Sequence, residues 1–259
     1  MLNTKTFFCD LCRVRESAPV VHCITNYVAM NINANALLAI GASPLMSACP
    51  EEMEDISAIS ASLCVNIGCI DMLQIEAMKR AVSAARNCRK PYVLDPVGVG
   101  ASKLRKESCL LLTQLYCPTV IRGNASEILC LADACANAHG IDAANATDEA
   151  LLPAQHLAKR CGCVVVVSGP SDLITDGERV EYVNHGSPLM RSVTAMGCTA
   201  SALTSAFLAV QPDPFVAAQE AMLLMGLAGE QAAVGNPAPG SFAMRFIDAL
   251  YNISTSNGG

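Results

Sequence analysis

Four short apolar runs, LCVNIG, YVLDP, PTVIRG and CVVVVSG, each stop at a glycine or an Asp-Pro and are separated by stretches of helical periodicity. That rhythm constrains the fold more than anything else in the chain. Strands alternating with helices predict a parallel sheet covered by helices on both faces, because a parallel strand must be reached by a crossover. The expected fold class is therefore α/β, with a mostly parallel central sheet. The sequence DLITDGERVEYV breaks the rhythm and predicts a hairpin turning at Asp176 and Gly177, which adds antiparallel strands at one edge.

Helix boundaries follow from local chemistry. NYVAMNINANALLAIGA carries apolar residues at helical spacing and ends at Gly41, a natural residue after a C-cap. A short SPLMS segment follows, then a helix opened by CPEEMEDI with acids in its first turn. Further helices are expected from Asp71 to Cys88, after Lys103 and from Asn124. A polar, alanine-rich connection spans Ala134 to Asp148, another helix precedes CVVVVSG, and the chain after the hairpin is mostly helical. The residues through Arg15 read as a polar N-terminal arm. No linker or internal repeat divides the 259 residues, so one domain is expected, 1–259 with the arm at 1–15.

Composition narrows the function. With 52% hydrophobic and 15% charged residues, the chain can bury a large core and further apolar surface between subunits. Its longest apolar runs fall short of the ~20 residues that cross a bilayer, and its N-terminus shows no secretory pattern, so a cytoplasmic protein is expected. A net charge of −6, no tryptophan and 4% aromatics argue against a nucleic-acid partner. The fourteen cysteines scatter through apolar segments as small core residues. Cys9 and Cys12 form a CxxC without a second pair, and Cys161 and Cys163 stand too close for zinc spacing.

Ligands of open α/β sheets bind beyond the carboxyl ends of the strands. At one such end Asp95 precedes Pro96, Gly98 and Gly100; it reads either as a Mg²⁺ ligand beside a triphosphate or as a turn residue. Asn124 and Glu127 form a capping-box pair, and Glu127 reads alternatively as an acid that orients a metal-bound water. Arg122 is more telling, because a guanidinium at a strand end costs burial unless an anion or a carboxylate meets it. In SVTAMGCTASALTSAFLAV, Gly197 and Cys198 stand where a helix begins. Helix starts hold anions and favour thiolates, so Cys198 reads as a packing residue, a nucleophile or part of an anion hole. None of His22, His139, His156 and His185 lies in a cysteine-protease signature, so a cysteine hydrolase would rest on Cys198 alone.

Taken in order, VHCITNYVAMN, LLAIGASPLM, VNIG, VLDPVGVGASKLR, VIRGNASEI, VVVVSG, DLITDGERV, GC and PGSF resemble the hydroxyethylthiazole kinases of thiamine salvage, from about Pro19 to Leu250. The resemblance implies a ribokinase-like fold and a homotrimer with active sites between subunits. It also implies transfer of the ATP γ-phosphate to 4-methyl-5-(2-hydroxyethyl)thiazole, with Mg²⁺ as cofactor. By position it makes Arg122, Ser168 and Asn124 ATP-binding residues. Met46, Ala195, Asn26 and Gly68 become substrate-binding, Asp95 and Glu127 metal acids, and Gly197 and Cys198 catalytic. Cys198 stands where related sugar kinases carry an aspartate base.

The sequence departs from the family pattern GTGC, since Ala195 and Met196 replace the first glycine and the hydroxyl residue. Ser168 stands where threonine is usual and Pro170 where an acid is common. A Cβ at a position needing positive φ costs energy, and methionine donates no hydrogen bond. The alternatives to the kinase reading are therefore a weakened homologue that binds thiazole or nucleotide without efficient turnover, and a kinase for a related small alcohol.

Overall fold

A computed structural model describes residues 4–136 and 147–255. Strands β1 (Val20–Ile24), β2 (Ser43–Met46), β3 (Ser62–Asn66), β4 (Tyr92–Asp95), β5 (Val120–Asn124), β6 (Val164–Ser168), β7 (Asp172–Thr175) and β8 (Val180–Val183) form one sheet in the order β2-β1-β3-β4-β5-β6-β7-β8. Strands β1 to β6 run parallel, and β7 and β8 are antiparallel at one edge. All four apolar runs are strands, and the expected hairpin forms with Gly177 at φ +95° in its turn.

Alternation along the strands divides the core between the two faces. Val21, Cys23, Cys64, Val93, Val120, Val164 and Val166 point to one side, where they pack with α1 (Thr4–Ser17), α2 (Met30–Ala39), α8 (Met196–Leu208), α9 (Pro214–Ala232) and α10 (Pro239–Thr255). Ile24, Leu63, Val65, Leu94, Ile121, Val165 and Val167 point to the other, under α3 (Met53–Ile59), α4 (Met72–Asn87), α5 (Lys103–Leu115), α6 (Ala125–Ala136) and α7 (Leu151–Cys161). This period-2 partition is what a sheet buried on both faces requires.

The helix ends obey their local signals. Asp71 and Ser102 cap α4 and α5 through their side chains, accepting from Gln74 N–H at 2.7 Å and Arg105 N–H at 3.3 Å. Helix α2 ends in a Schellman arrangement, with Ala42 N–H donating to Leu37 O, Gly41 N–H to Leu38 O, and Gly41 at φ +90°.

Two elements differ from expectation. The N-terminal arm is the 14-residue helix α1, which buries Phe7, Leu11 and Val14 and stacks Phe7 against Phe207 with ring centroids 6.3 Å apart. Three apolar residues at helical spacing dock it, and its polar side adds ties, with Asp10 accepting from Gln211 and Arg15 donating to Ala39 O. Residues Val20–Ile24, read only as part of a motif, form a strand central enough to pair with both β2 and β3. Of the polar connection expected over 134–148, residues 137–146 lie outside the described residues, as does His139.

Candidate active site

The carboxyl ends of β3, β4, β5 and β6 converge on the start of α8, and nearly every residue singled out from the sequence lies there. Ala195 is the N-cap of α8, so the N–H groups of Met196, Gly197 and Cys198 occupy its first turn and have no intrahelical acceptor. Beside this turn lies a cleft of about 620 Å³ lined by, among others, Arg122, Asn124, Ser168, Pro170, Ala195 and Gly197. Ala195 adopts φ +66°, a left-handed conformation that penalises its Cβ, as expected for the residue standing at a glycine position. The Met196 side chain is buried among the apolar residues packed around α8 and supplies no donor.

Arg122 is buried at the end of β5 with its guanidinium against the Gly197 backbone. A Cβ on Gly197 would lie 2.5 Å from Arg122 Nη1, so only glycine lets the guanidinium sit there undisturbed. Arg122 donates from Nε at 2.9 Å and Nη2 at 2.5 Å to Ser168 Oγ, which fixes the guanidinium at the cleft wall. The buried cation thus has a neutral protein acceptor and faces a helix N-terminus, an arrangement that suits a phosphate entering the cleft.

Asp95 ends β4 and is fully buried. Its Oδ2 accepts from Asn66 Nδ2 and from Ser201 Oγ, each at 2.8 Å, while Oδ1 has no partner. Burial pushes its carboxyl up to about 6, against the downward pull of Arg122 and with a further upward push from Glu127. Glu127 satisfies the capping reading in full: Oε2 accepts from Asn124 N–H, Asn124 Oδ1 accepts from Glu127 N–H, and Oε1 accepts from Gly98 N–H, all at 2.9 Å. It therefore ties the β4 and β5 loops together.

On the other side of Asp95, Asn26 Nδ2 donates to Asn66 Oδ1 at 3.0 Å and to Cys198 Sγ at 3.2 Å. Gly68 N–H donates to Asn66 Oδ1 at 2.9 Å, and a Cβ on Gly68 would meet Asn26 Nδ2 at 2.8 Å. The Cys198 thiol is raised above its ordinary value by burial and then by Asp95, which outweigh the hydrogen bonds from Asn26 and Asn66 and the Arg122 charge. A helix start does not make it a thiolate here.

Arg122, Asn124, Ser168, Ala195 and Gly197 thus share one cleft, and Asp95, Asn26, Gly68 and Cys198 share one hydrogen-bond network beside it. Met46 joins neither. It ends the edge strand β2 opposite Cys23, partly exposed. Three residues escaped the sequence reading: Asn66, Ser201 and Arg105. Arg105 reaches from α5 to donate to Ile67 O at 2.6 Å, Val97 O at 2.8 Å and Gly68 O at 2.8 Å, clasping the β3 and β4 loops. The signal for Ser201 was its place three residues after Cys198, on the same helical face.

Comparisons with known proteins agree with this geometry. The pattern of the hydroxyethylthiazole kinase family matches residues 11–256. Hydroxyethylthiazole kinases of Brachyspira hyodysenteriae and Nitratidesulfovibrio vulgaris (strain DP4) are each 47% identical to this chain. They cover 96% and 98% of it, and 94% and 95% of their own lengths are matched. The solved structure of the hydroxyethylthiazole kinase protein from Pyrococcus horikoshii OT3 superposes with a TM-score of 0.89 at 38% identity, over 96% of this chain and 93% of that one. A pyridoxal kinase from Staphylococcus aureus, at 17% identity, has a TM-score of 0.65 over 82% of this chain and 88% of its own, and shares the ribokinase-like fold. With a match along nearly its whole length, and with a buried arginine, a helix N-terminus and a buried acid gathered at one end of the sheet, this chain belongs to the hydroxyethylthiazole kinase family.

Proposed function

We propose that the chain phosphorylates 4-methyl-5-(2-hydroxyethyl)thiazole, using ATP as co-substrate, in thiamine salvage. The observation that carries this reading is the pairing of family membership with a buried Arg122 aimed at the first turn of α8. The alcohol oxygen forms a bond to the γ-phosphorus, the bond to the ADP oxygen breaks, and the hydroxyl proton passes to a non-bridging oxygen of the transferred phosphoryl group or to water. Such transfers have loose transition states, so positioning and charge neutralisation do most of the work. Arg122 and the N–H groups of Met196, Gly197 and Cys198 meet the phosphate, Ser168 holds Arg122, and Asn124 lines the nucleotide cleft. Asn26 and Gly68 border the alcohol side, with Ala195 shaping the turn between the two. Cys198, held as a thiol, assists the hydroxyl weakly and forms no covalent intermediate.

The residues fit a Mg²⁺ ion. Asp95 Oδ1 is a buried oxygen without a partner, and Glu127 is the nearby second acid, so hard oxygen donors are available to a hard cation. When bound, the ion would neutralise charge on the phosphates. We further place the active sites between subunits of a homotrimer. Tyr27, Val28, Met72 and Leu73 support this, because they are strongly exposed apolar side chains beside Asn26 and beyond the end of β3, and Met46 stands at the sheet edge rather than in the cleft. The shared sheet under both apolar clusters supports a single domain over 1–259. An ATP requirement and fourteen thiols suit the reducing cytoplasm.

The test is product identification by phosphorus NMR after incubation with MgATP and the thiazole alcohol, in parallel with pyridoxal and with no acceptor. A thiazole phosphomonoester is expected. ADP with no phosphorylated thiazole would reject the substrate.

A further inference from the structure

Asn66, at the last position of β3, sits where the two halves of the site meet. The sheet register pairs it with Asp95, which brings its side chain to the acid across the β3–β4 ladder. Its amide orientation follows from its neighbours' chemistry: Nδ2 must face the Asp95 carboxylate, and Oδ1 must face two donors, Gly68 N–H and Asn26 Nδ2. Asn26 is oriented in the same way, because its Oδ1 accepts Ala29 N–H at 3.0 Å and leaves Nδ2 for Asn66 and Cys198.

These contacts close a ring. From Asp95 Oδ2 it runs through Asn66 and Asn26 to Cys198 Sγ, along one turn of α8 to Ser201, and back from Ser201 Oγ to Asp95 Oδ2. Every side chain in it except Cys198 is buried. The ring joins the end of β3, the end of β4, the loop after β1 and the first turns of α8. Four segments distant in sequence thereby share one reference point.

We infer that Asn66 is a positioning residue that fixes the distance between the acid on the phosphate side, Asp95, and the amide and thiol on the alcohol side, Asn26 and Cys198. This rests on the kinase reading above. Phosphoryl transfer demands that donor and acceptor be held in line, and a misplacement of about 1 Å can cost on the order of 100-fold in rate. Asn66 touches neither substrate in this reading, so it sets the alignment of the two bound substrates more than the affinity for either.

The test is a double-mutant cycle with Asn66→Ala, Asn26→Ala and the double variant, each assayed for kcat and for KM of both substrates. Asn66→Ala is expected to lower kcat about 10- to 100-fold with KM for ATP within about twofold, because the Arg122–Ser168 cleft is untouched. The double variant is expected to lose little more than Asn66→Ala alone, since both residues act through one ring. Additive losses, or a kcat loss recovered in full by cooling a destabilised protein, would reduce Asn66 to a packing residue and overturn the inference.

Asn66→Ser keeps a polar group but cannot span both partners. It is expected to reproduce the kcat loss should the alanine variant fail to fold, and wild-type kcat in Asn66→Ser would overturn the inference. A wild type that turns over no thiazole alcohol would reject the substrate reading while leaving the ring testable. In that case crystal structures of the wild type and of a folded Asn66 variant decide: release of the Asn26 amide from Cys198 Sγ in the variant is expected, and an unchanged Asn26 would overturn the inference.

Discussion

Replacing Gly197 by alanine separates the fold from the phosphate site. The added Cβ would lie 2.5 Å from Arg122 Nη1, 3.1 Å from Nη2 and 3.2 Å from Cζ. Ordinary contact starts near 3.5 Å, so the guanidinium has to retreat by roughly 1 Å. That movement takes it out of line with Ser168 Oγ, now bonded at 2.9 and 2.5 Å. A hydrogen bond involving a charged group contributes about 1.5–3 kcal/mol, so disturbing the Arg122 contact to a nucleotide phosphate should weaken binding about 10- to 100-fold. The fold should survive, because the obstructed group is the far end of a flexible side chain and alanine favours the first turn of α8 by up to about 1 kcal/mol. Calorimetric titration with a non-hydrolysable ATP analogue, with thermal unfolding as the control, gives both numbers. A folded variant with unchanged Kd would refute the placement of Arg122 on the phosphate.

Other perturbations probe separate parts of the account. Ala195→Gly relieves a left-handed alanine worth about 1–2 kcal/mol but frees the unfolded chain by about 0.4–1 kcal/mol, so Tm should hold or rise; a fall would contradict the strain at φ +66°. Arg105→Ala removes three bonds to the β3 and β4 loop carbonyls and should cost about 2 kcal/mol or more in urea unfolding, with no loss read as evidence that the clasp is redundant. Cys198→Ala should retain kcat within about 100-fold, because a protonated thiol supplies a contact and not a general base; a far larger loss in a steady-state assay would make the thiol a principal catalyst.

Glu220 gives a pH signature outside the lining of the cleft. Buried on α9 and facing Asp10 and Arg13 of α1, it is pushed up to about 8 by burial and then by Asp10. The native chain keeps a proton that the unfolded chain releases near pH 4.3, so this group's contribution is intact below about pH 4 and is lost as pH rises towards 8. Glu220→Gln should flatten the decline in unfolding free energy across that window, and an unchanged slope would assign it elsewhere.

The strand ends and several helix ends were legible because each is written in a few adjacent residues: a glycine or Asp-Pro after an apolar run, Asp71 at the start of a helix, Gly41 after one. Helix α1 was missed because only Phe7, Leu11 and Val14 mark it, at a spacing of four and three in a polar segment. The roles of Arg122 and Gly197 were separately readable, but their contact depends on β5 and α8 meeting, 75 positions apart. Asn66 and Ser201 carried even less signal. Their meaning comes from the β3–β4 register and from one face of α8, and neither is visible before the sheet is assembled.

The most direct test is the steady-state rate of ADP release with MgATP, with and without hydroxyethylthiazole, in the wild type and in an Ala195→Gly, Met196→Thr double variant. The account predicts thiazole-dependent turnover in the wild type, because the phosphate is met by main-chain N–H groups and Arg122, which the two substitutions leave in place. ADP release that does not respond to thiazole in either folded protein would contradict it.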